Sequence, residues 1–525
     1  MASVPGSQFG ATASGPSTNV VETSGGTLPP PVPGAFNLEV WTGPPGSAPA
    51  TPAAGYQGLA VLSDGGEEIT LVSGAFEVTD SGTGNDTLVA SGSNETIAGG
   101  SANVTLVLNG NDDVAIGGGQ DTITVTGGND TVTGNGNDSI TVFGSNDVVN
   151  AGSGNDTIVA SGNNDTINGG AGASSITATG SSDLITGGSG PDQITAAGSF
   201  DTITAAGGND TIIATGNYDS VTGGSGFDTI NASGFGDTIT AGSGPDTITA
   251  TGMFDQIFGA GGTALITATG NFDSVTAGSG PDTISASGLG DTILAGSGPD
   301  TITASGSFDA ITGAGGAASI TATGFADTVI AGSGPDTISA SGLFDAITAG
   351  SGPDTINVTG SFDSVTASGG ADSVTATGNY DSVIGGSGSD TINASGLYDS
   401  VSGGAGPETI NVFGSFDTAY TGTGSDTINL SGNSDTVQAG TQGNTTAALV
   451  NLSGNTTTFS DGPNTYSDTI VGFSQASGDT IQLNDGHTVA SANQVNGGQD
   501  TQITLSDGST ILLKGITHID NSFFS

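Results

Sequence analysis

Two neighbouring stretches, GGSGFDTIN (Gly223–Asn231) and AGSGPDTIT (Ala241–Thr249), repeat one pattern 18 residues apart. Stepping by 18 from Asp192 meets Asp210, Asp228 and Asp246, then Ala264, Asp282, Asp300, Ala318, Asp336, Asp354, Asp372, Asp390, Glu408 and Asp426. A second column, offset by nine residues, runs through Asp183, Asp201, Asp219, Asp237, Asp255, Asp273 and Asp291 and continues to Asp435. The unit is therefore an 18-residue turn built of two unlike nine-residue halves, and a short fixed period of this kind marks a stacked architecture. Upstream the frame reaches back through Asp165, Asp156, Asp147 and Asp138, with Ser174 as a gap. One-residue slips fall between Asp130 and Asp138 and between Asp113 and Asp121, and the pattern begins near Asp86. Residues 81–440 hold about twenty such turns.

Each half reads as a Gly-rich turn, an Asp, and a short strand. A strand alternates its faces, so in Thr229-Ile230-Asn231 only the isoleucine points to one side. One such residue buries almost nothing alone; stacked turns close an inner Ile/Val/Leu column and pair every strand with those above and below. The expectation is an all-β, right-handed parallel β-solenoid of 18-residue turns. At about 4.8 Å per turn, twenty turns make a rod of roughly 95 Å. Residues 1–80 are Pro/Gly/Ala-rich (TLPPPVPGAF, TGPPGSAPATPAAG) and hold the single Trp41, which suggests a flexible or partly ordered leader. Residues 441–525 carry longer alternating strands with Asp-Gly turn signals, such as DTIQLNDG and TQITLSDGSTILLKGI, and are expected to cap the solenoid.

Composition narrows the function. The chain has 525 residues, 51 of them acidic against one basic, for a net charge of −50. Lys514 is that one cation. Phosphate-backbone binding and docking to anionic membranes both need clustered Lys/Arg, so neither nucleic acid nor a membrane surface is an expected partner. No stretch approaches the ~20 apolar residues of a spanning helix, and the N-terminal MASVPGSQFGATASG lacks the basic and apolar regions of a cleavable signal. The absence of cysteine excludes disulfides and thiolate chemistry, and His487 and His518 are the only imidazoles.

The Asp columns pose an electrostatic problem. Like charges stacked at ~4.8 Å repel by roughly 3–4 kcal/mol per neighbouring pair at an effective dielectric near 20. Whole domains are stable by only ~5–15 kcal/mol, so a column of them needs a counter-cation. With no Lys or Arg available, a hard divalent ion fits, because carboxylate and main-chain carbonyl oxygens are calcium ligands.

At this point the sequence resembles a known family. GGSGPDQIT (Gly187–Thr195), GGSGFDTIN (Gly223–Asn231) and GGSGSDTIN (Gly385–Asn393) match in full the G-G-x-G-x-D-x-U-x calcium nonapeptide of RTX proteins, the hemolysin-type β-roll. The resemblance implies calcium between successive turns, held by carbonyls of the Gly-rich loop and the carboxylates of both turns. It implicates Asp86, Asp138, Asp156, Asp192, Asp210, Asp228, Asp246, Asp282, Asp300, Asp336, Asp354, Asp372, Asp390 and Asp426, with Gly187, Gly190, Gly223, Gly226, Gly385 and Gly388. The last eight residues, HIDNSFFS, look like a type I secretion signal, which implies export and folding on calcium outside the cell.

The second column departs from the family motif, with one glycine where the motif wants three and an aromatic before most of its Asp residues. These rings, from Phe200 to Phe416, are interrupted at Gly236, Gly290 and Ala326. They read either as a ladder stabilising the edge by stacking, or as an exposed stripe for self-association or for sugar rings. Whether this edge takes calcium is left open by the residues. A 54-residue period overlies the 18, seen in GSFD at 198–201, 306–309, 360–363 and 414–417 and in GMFD at 252–255. It reads as tandem duplication or as a feature that mates with a neighbouring molecule. Ala264 and Ala318 predict weak or missing calcium sites at two of its turns.

No HExxH or nucleophile elbow outside the repeats is present, so an enzyme is not expected. The favoured function is a secreted, calcium-binding structural protein forming a rod, filament, surface layer or biofilm matrix. The alternative is an adhesin or ice-binding solenoid acting through a Thr or aromatic face. T-x-T pairs at Thr202/Thr204, Thr238/Thr240, Thr247/Thr249 and Thr301/Thr303 motivate that alternative. Self-association, and cell-surface polysaccharide as a ligand, are the partners expected beyond calcium.

Overall fold

The computed structural model describes residues 18–25, 27–43, 52–61, 68–71, 77–80, 84–439, 446–462, 467–484 and 486–525. They form an almost purely β protein in which three single-turn 3-10 segments are the only helical elements described. Its architecture is a parallel β-solenoid. The chain divides into two compact units, Met1–Gly262 and Thr263–Ser525.

In the first unit each turn sends one strand into each of two stacks. Thr229–Phe235 pairs in parallel with Asp246–Met253, placing Ile230 beside Ile248 and Ala232 beside Ala250. Ser220–Ser225 pairs with Thr238–Ser243, placing Val221 beside Ile239. The in-register pairing follows from the constant spacing, since a one-residue slip would turn every isoleucine outward. Ile230, Ile239, Ile248 and Ala250 are fully buried. The core therefore holds two residues per Gly-rich half, the β-branched one and the alanine two places on. The alanine was not expected inside, because it is too small to stand out as a core residue.

The T-x-T pairs do not form one array. Thr202/Thr204 and Thr238/Thr240 lie in one stack, and Thr247/Thr249 in the other. They point away from different faces.

Parallel pairing also runs back into residues expected as a leader. Phe36–Trp41, Gly58–Val61 and Glu77–Asp80 stack in turn, and Glu77–Asp80 pairs with Thr96–Ala98. Leu59 and Val78 carry the buried column of Ile97 back through them, and it ends beside the buried Glu39 of the Phe36–Trp41 strand. Tyr56 donates its hydroxyl to the Pro29 carbonyl at 3.0 Å, and the Asn37 amide donates to Val32 and Ala35, tying down proline-rich chain. The remainder of the expected leader, including residues 1–17 and 44–51, lies outside the described residues. The sequence hid these turns because they lack the G-x-D register and are longer: Leu38 stands beside Gly58, and Leu59 beside Val78.

In the second unit the stacking likewise continues past 440. Val450 pairs between Ile428 and Ile470, and Phe459 between Val437 and Ile481. The end is then turned over by antiparallel pairing of Val489–Val495 with Asp500–Leu505, and of the latter with Thr510–Leu513. The final residues dock on the last turn: Phe523 is buried, its ring stacked 5.5 Å from that of Phe473, and the Ser525 N–H donates to Ile481.

Candidate metal centres along the turns

Every acidic residue implicated in calcium binding is buried at the corner of its turn, Asp86 and Asp426 included. One carboxylate oxygen has a fixed structural task. The N–H of Asp192 donates to Oδ1 of Asp210 at 2.7 Å, that of Asp210 to Asp228 at 3.0 Å, and that of Asp228 to Asp246 at 3.0 Å. The same bond links Asp138 to Asp156, Asp282 to Asp300, Asp336 to Asp354, Asp354 to Asp372, and Asp372 to Asp390. Asp thus serves as a turn former, clipping each turn to the one before it.

The second oxygen has no such task. Oδ2 of Asp156, Asp192, Asp210, Asp228, Asp246, Asp282, Asp300, Asp336, Asp354, Asp372 and Asp390 is buried with no hydrogen-bond partner. Two differ: Oδ2 of Asp138 accepts from the Gly136 N–H at 3.2 Å, and that of Asp426 from Gly422 at 2.9 Å. A buried unpaired charge costs several kcal/mol, so a row of them requires either protons or cations. Burial holds the carboxyls of Asp192 and Asp354 at about 6, against the N–H bonds that pull them down.

The full-motif glycines define what surrounds these oxygens. A Cβ on Gly223 would lie 2.5 Å from the Ala241 carbonyl oxygen and 2.7 Å from Asp228 Oδ2. On Gly187 it would meet Asp192 Oδ2 at 2.5 Å and the Ala205 carbonyl at 3.1 Å, and on Gly385 the Gly403 carbonyl at 2.3 Å and Asp390 Oδ2 at 2.9 Å. An unpaired carboxylate oxygen and a carbonyl of the next turn therefore converge beside each first glycine. Gly190, Gly226 and Gly388 meet the preceding turn's carbonyl instead, at 1.9, 1.4 and 1.5 Å from the built Cβ. Hard oxygens of both kinds are what calcium takes. No group of three or more acidic or histidine side chains among the described residues is placed to hold a metal by itself, so main-chain oxygens must complete any shell.

Gly226 shows how little freedom the turn has. Its φ is +143° and the Gly208 carbonyl fills the position of a Cβ. Gly226→Ala is expected to cost about 1–3 kcal/mol and to move the calcium midpoint of folding upward, read by circular dichroism.

Scanned against family models, the chain matches the RTX calcium-binding nonapeptide repeat over residues 80–266, 285–342 and 348–445, more than half its length. It belongs to the RTX repeat family. Among curated proteins none matches this RTX chain. The family match and the fold agree on where the repeats lie, and RTX repeats carry calcium binding with them.

The RTX match runs through both edges, but on the other edge the full G-G-x-G-x-D motif is absent. There the residue before Asp adopts the left-handed conformation: Asn129, Asn146 and Asn164 early on, then Tyr218, Phe344, Phe362 and Tyr380, these seven with φ of 61–64°. Its Asp residues make the same turn-to-turn bond, as from Asp201 to Asp219 at 3.0 Å, and Oδ2 of Asp219 is again buried without a partner. Burial, then the charges of Asp201 and Asp237, holds Asp219 at about 7. Asp381, Asp399, Asp417 and Asp435 stand at about 6, chiefly through burial.

Where the Gly-rich column lacks Asp, the clip survives in part. The N–H groups of Ala264 and Ala318 still donate to Asp282 and Asp336 at 2.7 Å, but those two turns contribute no carboxylate. Glu408 takes an Asp position, and burial together with Asp426 raises it to about 9. The single lysine and one of the two imidazoles lie against carboxylates in the residues after 460. His487 Nδ1 is 2.6 Å from Asp461, and Lys514 Nζ is 3.2 Å from Asp500.

Proposed function

We propose that this is a secreted structural protein whose solenoid folds on calcium outside the cell and builds an extracellular filament, surface layer or matrix. The observation that supports it most is the row of buried, unpartnered Oδ2 atoms on the Gly-rich edge, which runs through nearly the whole repeat. A chain whose turns are almost all cation seats is organised as a scaffold. In this reading the calcium-holding residues are the fourteen Asp positions named from the sequence, with the carbonyls around Gly187, Gly223 and Gly385 completing the shells. Export by a type I route and an extracellular location belong to the same proposal. No described helix is long and apolar enough to cross a membrane. The reading makes the protein non-enzymatic.

Negative-stain electron microscopy in millimolar calcium, with an EGTA control, tests it. Filaments or sheets that vanish in chelator support the assembly; discrete particles in calcium overturn it and leave a ligand-binding solenoid.

The two edges are expected to respond differently to loss of charge. Asp228→Asn removes a calcium-facing oxygen and should lower the bound calcium by about one ion per chain and raise the folding midpoint. Asp381→Asn keeps the Oδ1 acceptor but removes a buried charge, and should stabilise the metal-free state at neutral pH by on the order of 2 kcal/mol. Calcium counting by equilibrium dialysis separates them. A drop in count for Asp381→Asn would show that the aromatic edge holds calcium as well.

A further inference from the structure

Between Phe308 and Phe416 the aromatic edge carries seven rings, one in every turn. Where the position before Asp is Ala326, the ring comes instead from Phe325, one residue earlier, and stands 5.4 Å from Phe308 and 5.5 Å from Phe344. The gap expected from the sequence is therefore closed, and ring continuity is kept although its source shifts. From Phe344 through Phe362, Tyr380 and Tyr398 to Phe416 the centroids are 5.0, 5.0, 4.9 and 5.1 Å apart, with planes within 2–15° of parallel.

Folding alone does not account for this ladder. Six of the seven rings sit on left-handed residues with φ of 63–64°. Such a conformation costs about 1–3 kcal/mol for a bulky side chain, while Asn, used at the same point in the early turns, adopts it readily. Stacking returns only about 0.5–1.5 kcal/mol per pair. The rings nonetheless remain between 40 % and 57 % exposed. At ~200 Å² per ring, seven half-exposed rings present roughly 700 Å² of apolar surface, above the ~300–600 Å² of the largest patch on a typical monomer. Two such stripes together supply about 1,400 Å², within the ~1,200–2,000 Å² of a stable interface.

The stacking also selects the partner. Each inner ring of the parallel run has a neighbour on both faces, so only ring edges reach solvent, and a sugar ring needs a face to lie on. A row of edges spaced about 5 Å apart is matched along its length by a surface of the same repeat, which another copy of the chain provides. The Asp side chains in these turns are buried, so the stripe itself is uncharged. We propose that this stripe is the lateral contact between two copies of the chain. The inference rests on the calcium-folded reading above and adds to it the surface through which copies meet.

Sedimentation velocity of the full chain at micromolar concentration in millimolar calcium tests the contact. The comparison is with a variant carrying Phe308→Asn, Phe344→Asn, Phe362→Asn, Tyr380→Asn, Tyr398→Asn and Phe416→Asn. Asn keeps the left-handed turn, and circular dichroism with a calcium titration reports folding independently. The parent is expected to associate and the folded variant to remain monomeric. The milder pair Tyr380→Asn and Tyr398→Asn, at the centre of the stripe, is expected to weaken association at least tenfold. A parent that stays monomeric, or a folded variant that associates like the parent, overturns the proposal. So does retention of a monomeric parent, but not the variant, on insoluble polysaccharide, which would assign the stripe to sugar. Failure of the parent to fold in calcium would appear in the dichroism and count against the calcium reading instead.

Discussion

In EGTA at neutral pH the purified protein is expected to give a coil-like far-ultraviolet dichroism spectrum, and in millimolar calcium a β spectrum. The reason is the ratio of opposing terms. Successive buried carboxylates along one edge repel by roughly 3–4 kcal/mol per pair at an effective dielectric near 20. The Gly-rich edge has unbroken runs such as Asp336, Asp354, Asp372 and Asp390, and the aromatic edge keeps its own Asp column beside them. Against this the core contributes little more than an isoleucine or valine and an alanine per half-turn. A stability of ~5–15 kcal/mol is consumed within a few unneutralised turns. Binding and folding are thus one event, since each seat takes oxygens from two turns and does not exist in the unfolded chain. Because neighbouring seats share a turn, the calcium titration should be steep. An unchanged β spectrum in chelator would overturn the neutralisation argument.

Acidification is expected to rescue the fold without calcium. Asp219 stands at about 7 and Asp381, Asp399, Asp417 and Asp435 at about 6, against about 3.9 for an unfolded Asp. Between those values the folded chain holds protons that the unfolded chain has released, so metal-free stability is greatest at low pH and falls as pH rises. In EGTA the β signal should be strongest near pH 4 and disappear between about pH 5 and 7.5. In calcium it should persist through that range, because the ion replaces the proton on the Gly-rich edge. A metal-free β signal that grows with pH would contradict the assignment of these buried carboxyls.

Much of this is legible in the sequence. The 18-residue period specifies parallel stacking, and the alternation around Ile230 and Ile248 specifies which side is core, because both are properties of spacing. The full-motif glycines pointed to the turn corners where the unpaired Oδ2 atoms lie. What the pattern missed shares one cause: it detects repetition, and the turns at Leu38, Leu59 and Val78, and those at Val450 and Phe459, stack without repeating. Backbone pairing here accommodates turns of 19–22 residues, and no fixed-period reading finds them.

The sequence by itself determined the stacking, the branched apolar members of the inner column and the need for a counter-cation, since these follow from residue type, period and charge. The division of labour within one carboxylate, with Oδ1 clipping turns and Oδ2 left unpaired, was decided only by the tertiary structure. So was the closing of the aromatic row by Phe325. Both depend on side-chain direction at a corner, which a periodicity does not record.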